Sequence, residues 1–527
     1  MNGAEALVAT AVSAGIEICF ANPGTTELPL VMALDSVPGL RSILCLHENV
    51  ATGAADGYGR MAKKPAMCLL HLGVGLANGL TNLHNARRAF TPVLNVIGNH
   101  ATWHLPADPL LATDVESLAH TVSDYVETSL GATTVAFDVV DAIEAAMANG
   151  GCVATLIVPH DAQIGEASDA VPVRRVRANQ TYSARRILQA AKALKSGKSA
   201  LLLGGDALSE LGIKLAGRIA AIGGADLLCD TFFARMERGG DLPSPTKLPY
   251  FPDEALELTR RYECVIVAGT RRPVAFFGNP PVPSYLTTEE QTVILAGIQE
   301  DSLGALAALA SEVNAPDVID QMFGEPPAMP KGGLDAKAVS AVIARLQPAE
   351  CIVMDEVLAV GVPYFDASKH SPRFTHLMLT GGAIGQGPSA ATGAAIACPN
   401  RKVINFQSDG CCAYSVQAFW TQARENLDVV TIIGSNRSYE ILELELLRAG
   451  IDQTGPMAHS MVHLDNPLLN WVKIGEGFAM PAVAVDSAES LARELERALM
   501  HKGPHLIEAI IASGRASRLR ETPRHVC

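Results

Sequence analysis

The sequence predicts an α/β protein made of three doubly wound parallel-sheet domains. Three observations carry that expectation. First, 527 residues exceed what one ordinary core organises and suit about three domains of roughly 100–200 residues. Second, helix-like and strand-like segments alternate along the whole chain, the pattern of parallel sheets covered on both faces. Third, two polar or proline-rich stretches, Asp161 to Thr181 and Val313 to Gly333, read as crossings between modules. They divide the chain into blocks over 1–165, 183–325 and 335–515.

In the first block a small-residue helix, Ala4 to Ala14, precedes a strand at Ile18 to Phe20 and a turn at Asn22-Pro23-Gly24. Strands are expected at Ile43 to Leu46, Met67 to His71, Val93 to Ile97 and Ala154 to Val158, with a small-residue helix over Val50 to Met61. The second block has strands at Ala200 to Leu203 and Cys264 to Val267, each ending in a glycine-containing turn. The third opens on Asp335, the N-cap of a helix over Ala336 to Leu346. Strands follow at Cys351 to Met354, Lys402 to Phe406, Val429 to Ile433 and His505 to Ile511.

Composition narrows the function class. The chain is 48% hydrophobic and 18% charged, with 41 basic against 55 acidic residues and a net charge of −14. That balance argues against nucleic acid or an anionic membrane as partner. Eleven cysteines lie scattered without Cys-x-x-Cys spacing, and no secretory leader or span of about 18 uncharged apolar residues is apparent. The expectation is a cytoplasmic protein with reduced thiols.

Chemistry concentrates where strands end. Ser408-Asp409-Gly410 follows one apolar run and Ser435-Asn436 follows the next. The intervening residues leave room for a helix over Val416 to Glu425 and a complete strand. A carboxylate and a carboxamide placed this way converge on one hard cation. Magnesium needs only one or two protein carboxylates when phosphate oxygens and water complete its shell. Gly410 permits close backbone approach, and the following amides favour a phosphate. In the first block, Thr25, Glu48 and His71 stand on neighbouring loops at one edge of a parallel sheet. Alone, an acid at a helix start is explained by the helix dipole.

Taken in order, Asn22 to Pro29, Leu46-His47-Glu48 with Ala55 to Tyr58, His71 to Asn78, Leu110-Leu111, Gly381 to Gly385, and Asp409-Gly410 through Asn436 and Tyr439 resemble thiamine-diphosphate-dependent 2-oxoacid decarboxylases and carboligases. The likeness is greatest to benzoylformate decarboxylases and extends to the acetolactate synthase group. It implies thiamine diphosphate and Mg2+ as cofactors, a 2-oxoacid substrate, and modules that bind the pyrimidine, form a centre, and bind the diphosphate. Glu48 would bond the aminopyrimidine, favour its imino tautomer and help remove the thiazolium C2 proton. Gly382 would offer a carbonyl to the exocyclic amine, and Ile384 would support the bent cofactor. Asn78, Gly410, Cys411, Ser438 and Tyr439 would complete its surroundings; Asp409, Asn436 and Ser438 would hold the metal. Thr25 and His71 would act at the substrate, and Leu110 and Leu111 would line it. Sites shared between subunits imply a homodimer or homotetramer.

The departures matter as much. Cys411 and Val357-Leu358-Ala359 replace hydroxyl residues of the benzoylformate decarboxylases, which predicts weaker cofactor binding. Arg271 to Gly278 lacks the second histidine of those enzymes, which favours carboligation. Leu203-Gly204-Gly205 is too short a signal for flavin, and Cys411-Cys412 reads first as packing. The readings left open are a decarboxylase with carboligation, an acetolactate-synthase-like transferase, and a cofactor-binding homologue of weak activity.

Overall fold

The computed structural model describes residues 1–172, 181–278, 280–318, 324–451 and 454–511. Parts of both expected crossings, 173–180 and 319–323, and the end of the third block, 512–515, lie outside the described residues. In the first block, β1 (Ile18–Asn22), β2 (Arg41–Leu44), β3 (Ala66–His71), β4 (Val93–Asn99), β5 (Tyr125–Thr128) and β6 (Val153–Pro159) form one parallel sheet in the order β2-β1-β3-β4-β6-β5. Successive strand residues feed different cores: Phe20, Leu70 and Ile97 on one face, Cys19, Leu69 and Val96 on the other. Both faces are therefore covered, as near-continuous apolar strands require.

The chain continues through β7 (Ser199–Leu203), β8 (Asp226–Cys229), β9 (Arg235–Arg238), β10 (Thr246–Lys247), β11 (Cys264–Ala268) and β12 (Thr292–Ala296). Five of these make a parallel sheet, β10-β8-β7-β11-β12, whose order reverses between β7 and β11 as in nucleotide-binding doubly wound folds. In the third block, β13 (Ile352–Glu356), β14 (Phe374–Met378), β15 (Val403–Ser408), β16 (Val429–Ser435), β17 (Ala482–Val485) and β18 (His505–Ile510) all run parallel to one another.

One strand departs from the parallel expectation. β9, from the middle block, adds antiparallel to β14, pairing Arg238 with Phe374. Its Arg238 is buried and donates to the Phe365 carbonyl at 2.6 Å and Ser368 Oγ at 2.9 Å. The guanidinium also lies 3.7 Å from the Phe365 ring centroid, so the charge is satisfied rather than stranded.

First and third blocks meet where the helix Glu48–Ala62 crosses Gly387–Ala397. Glycine allows the approach: a Cβ on Gly57 would stand 2.0 Å from the Ala390 carbonyl oxygen, and one on Gly393 1.8 Å from that of Ala54. Beside this crossing Arg60 grips Asp56 through Nε at 2.8 Å and Nη2 at 2.7 Å, and donates to Met378 O at 2.7 Å and Thr380 Oγ1 at 2.9 Å. Asp56 also accepts from Thr91 and Gln386. The third-block helix starts as expected, with Asp335 accepting from Ala338 N at 2.7 Å.

Candidate active site

Glu48 is the first residue of its helix, which begins two residues before the expected Val50, and is 8% exposed. His47 caps that end, accepting from Asn49 N at 3.1 Å. The Glu48 carboxylate turns to Asn78, whose Nδ2 donates to Oε2 at 3.0 Å. Gly75 leaves room beside it: a Cβ there would lie 3.1 Å from Oε1.

β1, β2 and β3 are neighbours, so Thr25, Glu48 and His71 do share one sheet edge. Thr25 itself is exposed. The hydroxyl that reaches His71 belongs to Thr26, with Oγ1 3.2 Å from Nδ1. A group that the sequence reading carried inside the Asn22 to Pro29 motif without a role organises this corner: Glu27, fully buried, sets Oε2 2.8 Å from His71 Nδ1 and accepts the Gly24 amide at 2.8 Å. Leu110 is 99% exposed and Leu111 37% exposed, so within one subunit Leu110 lines nothing.

At the other site end, β15 and β16 run in register through Ser408 and Gly434, which brings Asp409 and Asn436 to adjacent strand ends. Asp409 Oδ1 accepts from Gly410 N at 2.8 Å and Oδ2 from Arg437 N at 2.6 Å. Asn436 accepts from Ser438 N at 3.1 Å and donates to Glu440 at 2.8 Å. Arg437 holds φ at +61° to make this tight turn. Tyr439 lies over Gly410, where a Cβ would come within 2.5 Å of its ring. Burial pushes the Asp409 carboxyl up to about 6 against the pull of those amides. A divalent cation bound there would offset such a cost. Burial and the nearby Glu356 carboxyl keep the Cys411 thiol well above its ordinary value, so it is a poor nucleophile and packs as a small apolar group.

Between these ends runs the loop Gly381 to Gly385. Gly382 and Gly385 have φ of +77° and +96°, conformations that glycine adopts freely. Glu356, missed in the sequence, holds the loop from the end of β13. Its Oε1 accepts from Gly385 N at 2.7 Å and Gln386 N at 3.1 Å, and Oε2 from Gly387 N at 2.7 Å. From the first block, Asn85 donates to Ala383 O at 2.8 Å and accepts from Gly381 N at 3.1 Å. Ile384 is half-buried. Phe276 covers Gly382, its ring 2.6 Å from where a Cβ would be. Arg272 is occupied with Thr287 O at 2.8 Å and the Tyr285 ring, a structural role.

A cavity of about 1140 Å3 adjoins this loop, between Arg60 and Arg88 of the first block and the middle-sheet strand ends at Gly204, Asp230 and Thr270. Burial raises Asp230 to about 6 although Thr270 donates to it at 2.6 Å.

Asn78 and Asn85 sit on one helix, Leu72–Ala89. At 1.5 Å per residue the Glu48 end and the Gly382 end of a single subunit stand about 10 Å apart along that axis. The donor set suits a magnesium-held diphosphate at Asp409 and Asn436, and the glycine cradle at 382 leaves backbone open to a ring.

Comparison with known proteins accords with this. Residues 1–121 match the thiamine pyrophosphate enzyme N-terminal TPP binding domain, and residues 360–509 the C-terminal TPP binding domain. A Mycobacterium tuberculosis protein provisionally named acetolactate synthase large subunit IlvX is 42% identical, covering 97% of this chain and 99% of its own. Benzoylformate decarboxylase of Pseudomonas aeruginosa is 25% identical over 94% of this chain and 96% of its own. The solved thiamine diphosphate-dependent 4-hydroxybenzoylformate decarboxylase of Rhodococcus jostii RHA1 superposes with a TM-score of 0.86 at 22% identity, covering 97% and 99% of the two chains. With both halves of the site matched in order and one relative aligned end to end, the chain belongs to the thiamine pyrophosphate enzyme family.

Proposed function

We propose that this protein catalyses the thiamine-diphosphate- and magnesium-dependent, non-oxidative decarboxylation of a 2-oxoacid, with carboligation as a companion reaction. The observation that carries the reading is the pair Asp409 and Asn436 at adjacent strand ends, beside a glycine loop, in a chain of this family. In it, residues 1–165 bind the pyrimidine, 183–325 form the central module and 335–515 bind the diphosphate.

When bound, thiamine diphosphate supplies the electron sink for the pair left behind as carbon dioxide departs. The chain supplies placement and protons. Asp409, Asn436 and the Ser438 carbonyl would hold Mg2+. Glu48, steadied by Asn78, would accept a hydrogen bond from the pyrimidine ring. The Gly382 carbonyl, offered by the loop that Glu356 and Asn85 fix, would receive the exocyclic amine. Tyr439 and Cys411 would close the diphosphate pocket, Ile384 would sit under the cofactor, and Thr25 and His71 would face the substrate.

The 99% exposure of Leu110 supports sites completed by a second copy, in which Leu110 and Leu111 would be covered. An acetolactate-synthase-like transfer remains the second reading. It is favoured by the name of the 42% identical relative and by the absence of histidine from Arg271 to Gly278. A panel of 2-oxoacids with thiamine diphosphate and Mg2+, scored for carbon dioxide and for ligated products, decides between them. Aldehyde and carbon dioxide in equal amounts support decarboxylation; hydroxy-oxoacid products support transfer; neither product from any substrate would refute both.

A further inference from the structure

The first sheet ends in a row of histidines that the cofactor does not require. His71 closes β3, His100 follows β4 and His160 follows β6, and these three strands are neighbours. Glu27 lies buried at this edge, in space left by Gly98 on β4, where a Cβ would stand 2.0 Å from its Oε1. It engages His71 Nδ1 at 2.8 Å, which leaves Nε2 as the exchanging atom of that ring. His160 Nδ1 lies 3.3 Å from the Thr26 carbonyl oxygen.

His100 is positioned with care. Its amide donates to Asn99 Oδ1 at 2.9 Å, and the next turn is tied to the short helix His160–Ile164 after β6 by Thr102 N donating to Asp161 Oδ1 at 3.0 Å. The ring stands 5.8 Å from that of His104. Yet His100 Nε2 is buried without a hydrogen-bond partner among the described residues. A buried polar atom left unpaired is costly and calls for a physical account. Burial first, then His104 and His71, hold the imidazole below its ordinary value, while Glu27 pulls the other way. His100 is therefore neutral near pH 7, with a nitrogen ready to exchange a proton.

We propose that His100 is the second proton-transfer group of this active site, coupled to His71 across Glu27. The inference rests on the decarboxylation reading. That reaction converts a 2-oxoacid anion and one proton into an aldehyde and carbon dioxide. One proton must reach the former carbonyl carbon as the carbon–carboxylate bond breaks, and the proton its oxygen has taken from solvent must leave as the carbonyl re-forms. His71 delivers the first; His100 accepts the second at Nε2 and returns it to His71, so one proton is consumed overall. This supplies from the first block the function that Arg271 to Gly278, without a histidine, cannot.

The test uses the full chain in two arms. In the first, histidine-labelled protein without cofactor is titrated by NMR, with the His100 signal assigned through His100→Gln. His71→Gln should raise the His100 pKa and Glu27→Gln should lower it; a His100 titration indifferent to both overturns the coupling. In the second, loaded enzyme is assayed across pH. His100→Gln should lower kcat about 100-fold, in the range of a lost acid–base group, and remove the acid limb of the kcat profile. Retained turnover with that limb intact overturns the role. His100→Asn stands in should the glutamine variant fail to fold. If wild-type enzyme turns over no 2-oxoacid, the decarboxylation reading falls together with the role in it, while the titration, which needs no turnover, still decides the coupling.

Discussion

Replacing Glu356 with glutamine tests how the Gly381 to Gly385 loop is held. The native carboxyl is 1% exposed and accepts three backbone amides. Burial nevertheless dominates and pushes it from 4.5 to about 7. For an acid raised in the folded state, the associated stability is fully present below the unfolded value of 4.5 and is lost as pH rises through about 7. At 1.36 kcal/mol per tenfold change, the shift amounts to about 3 kcal/mol. Glu356→Gln cannot ionise, so its stability relative to wild type should climb by about that amount from about pH 5 to about pH 8. A second consequence is local. The glutamine carbonyl can keep Gly385 and Gln386, but its amino group faces the Gly387 N–H, leaving one donor unpaired at about 1–3 kcal/mol. Urea midpoints of both proteins across that pH range measure the first effect, and hydrogen exchange of peptides spanning 385–387 measures the second. A wild-type-minus-variant difference that is flat with pH would refute the dominance of burial. A difference of opposite slope would mean that the three amides outweigh it.

Three further outcomes are expected. Gly57→Ala must push the Ala390 carbonyl away from a Cβ placed 2.0 Å from it, costing about 1–3 kcal/mol; the thermal midpoint should fall, whereas Ala at exposed Gly477, with open space around it, should not lower it. Cys411→Ser restores a hydroxyl donor beside Asp409 and should tighten thiamine diphosphate binding about fivefold to tenfold, the worth of one hydrogen bond, read by calorimetric titration with Mg2+ held constant. Glu48→Gln should slow exchange of the cofactor C2 proton by at least about 100-fold, measured by NMR in deuterium oxide; an unchanged rate removes the proposed role of that carboxylate.

Much of the frame was legible in the chain because its strands are buried on both faces and announce themselves as apolar runs. The Asp335 cap and the strand ends carrying Asp409 and Asn436 were readable for the same local reason. What escaped was long-range. Arg235–Arg238, with three charged side chains in four residues, was not among the expected strands, yet pairing with β14 makes it one. Asp355 and Glu356 look like the start of a loop, so the strand seemed to end at Met354. Nothing local reveals that amides from residues 385–387 return to that carboxylate. Glu27 looks like an ordinary acid at a helix start, and only Gly98, on a strand far along the chain, shows why it is buried. Thr25 and Thr26 are indistinguishable by type; the turn decided which of them meets His71. Asp56 was noticed as part of a motif, but its service to Arg60, Thr91 and Gln386 needed the third block in place.

β9 gives the middle block a stake in its neighbour. Cutting that block out would do more than delete a spacer: it would bare the outer rim of β14, a row of unsatisfied N–H and C=O groups that templates aggregation. It would also abandon the aromatic pocket around Phe365 that Arg238 fills. Any shortened or chimaeric form of this chain should therefore transplant Arg235–Arg238 together with the catalytic half, as a stitch that must travel with the cloth.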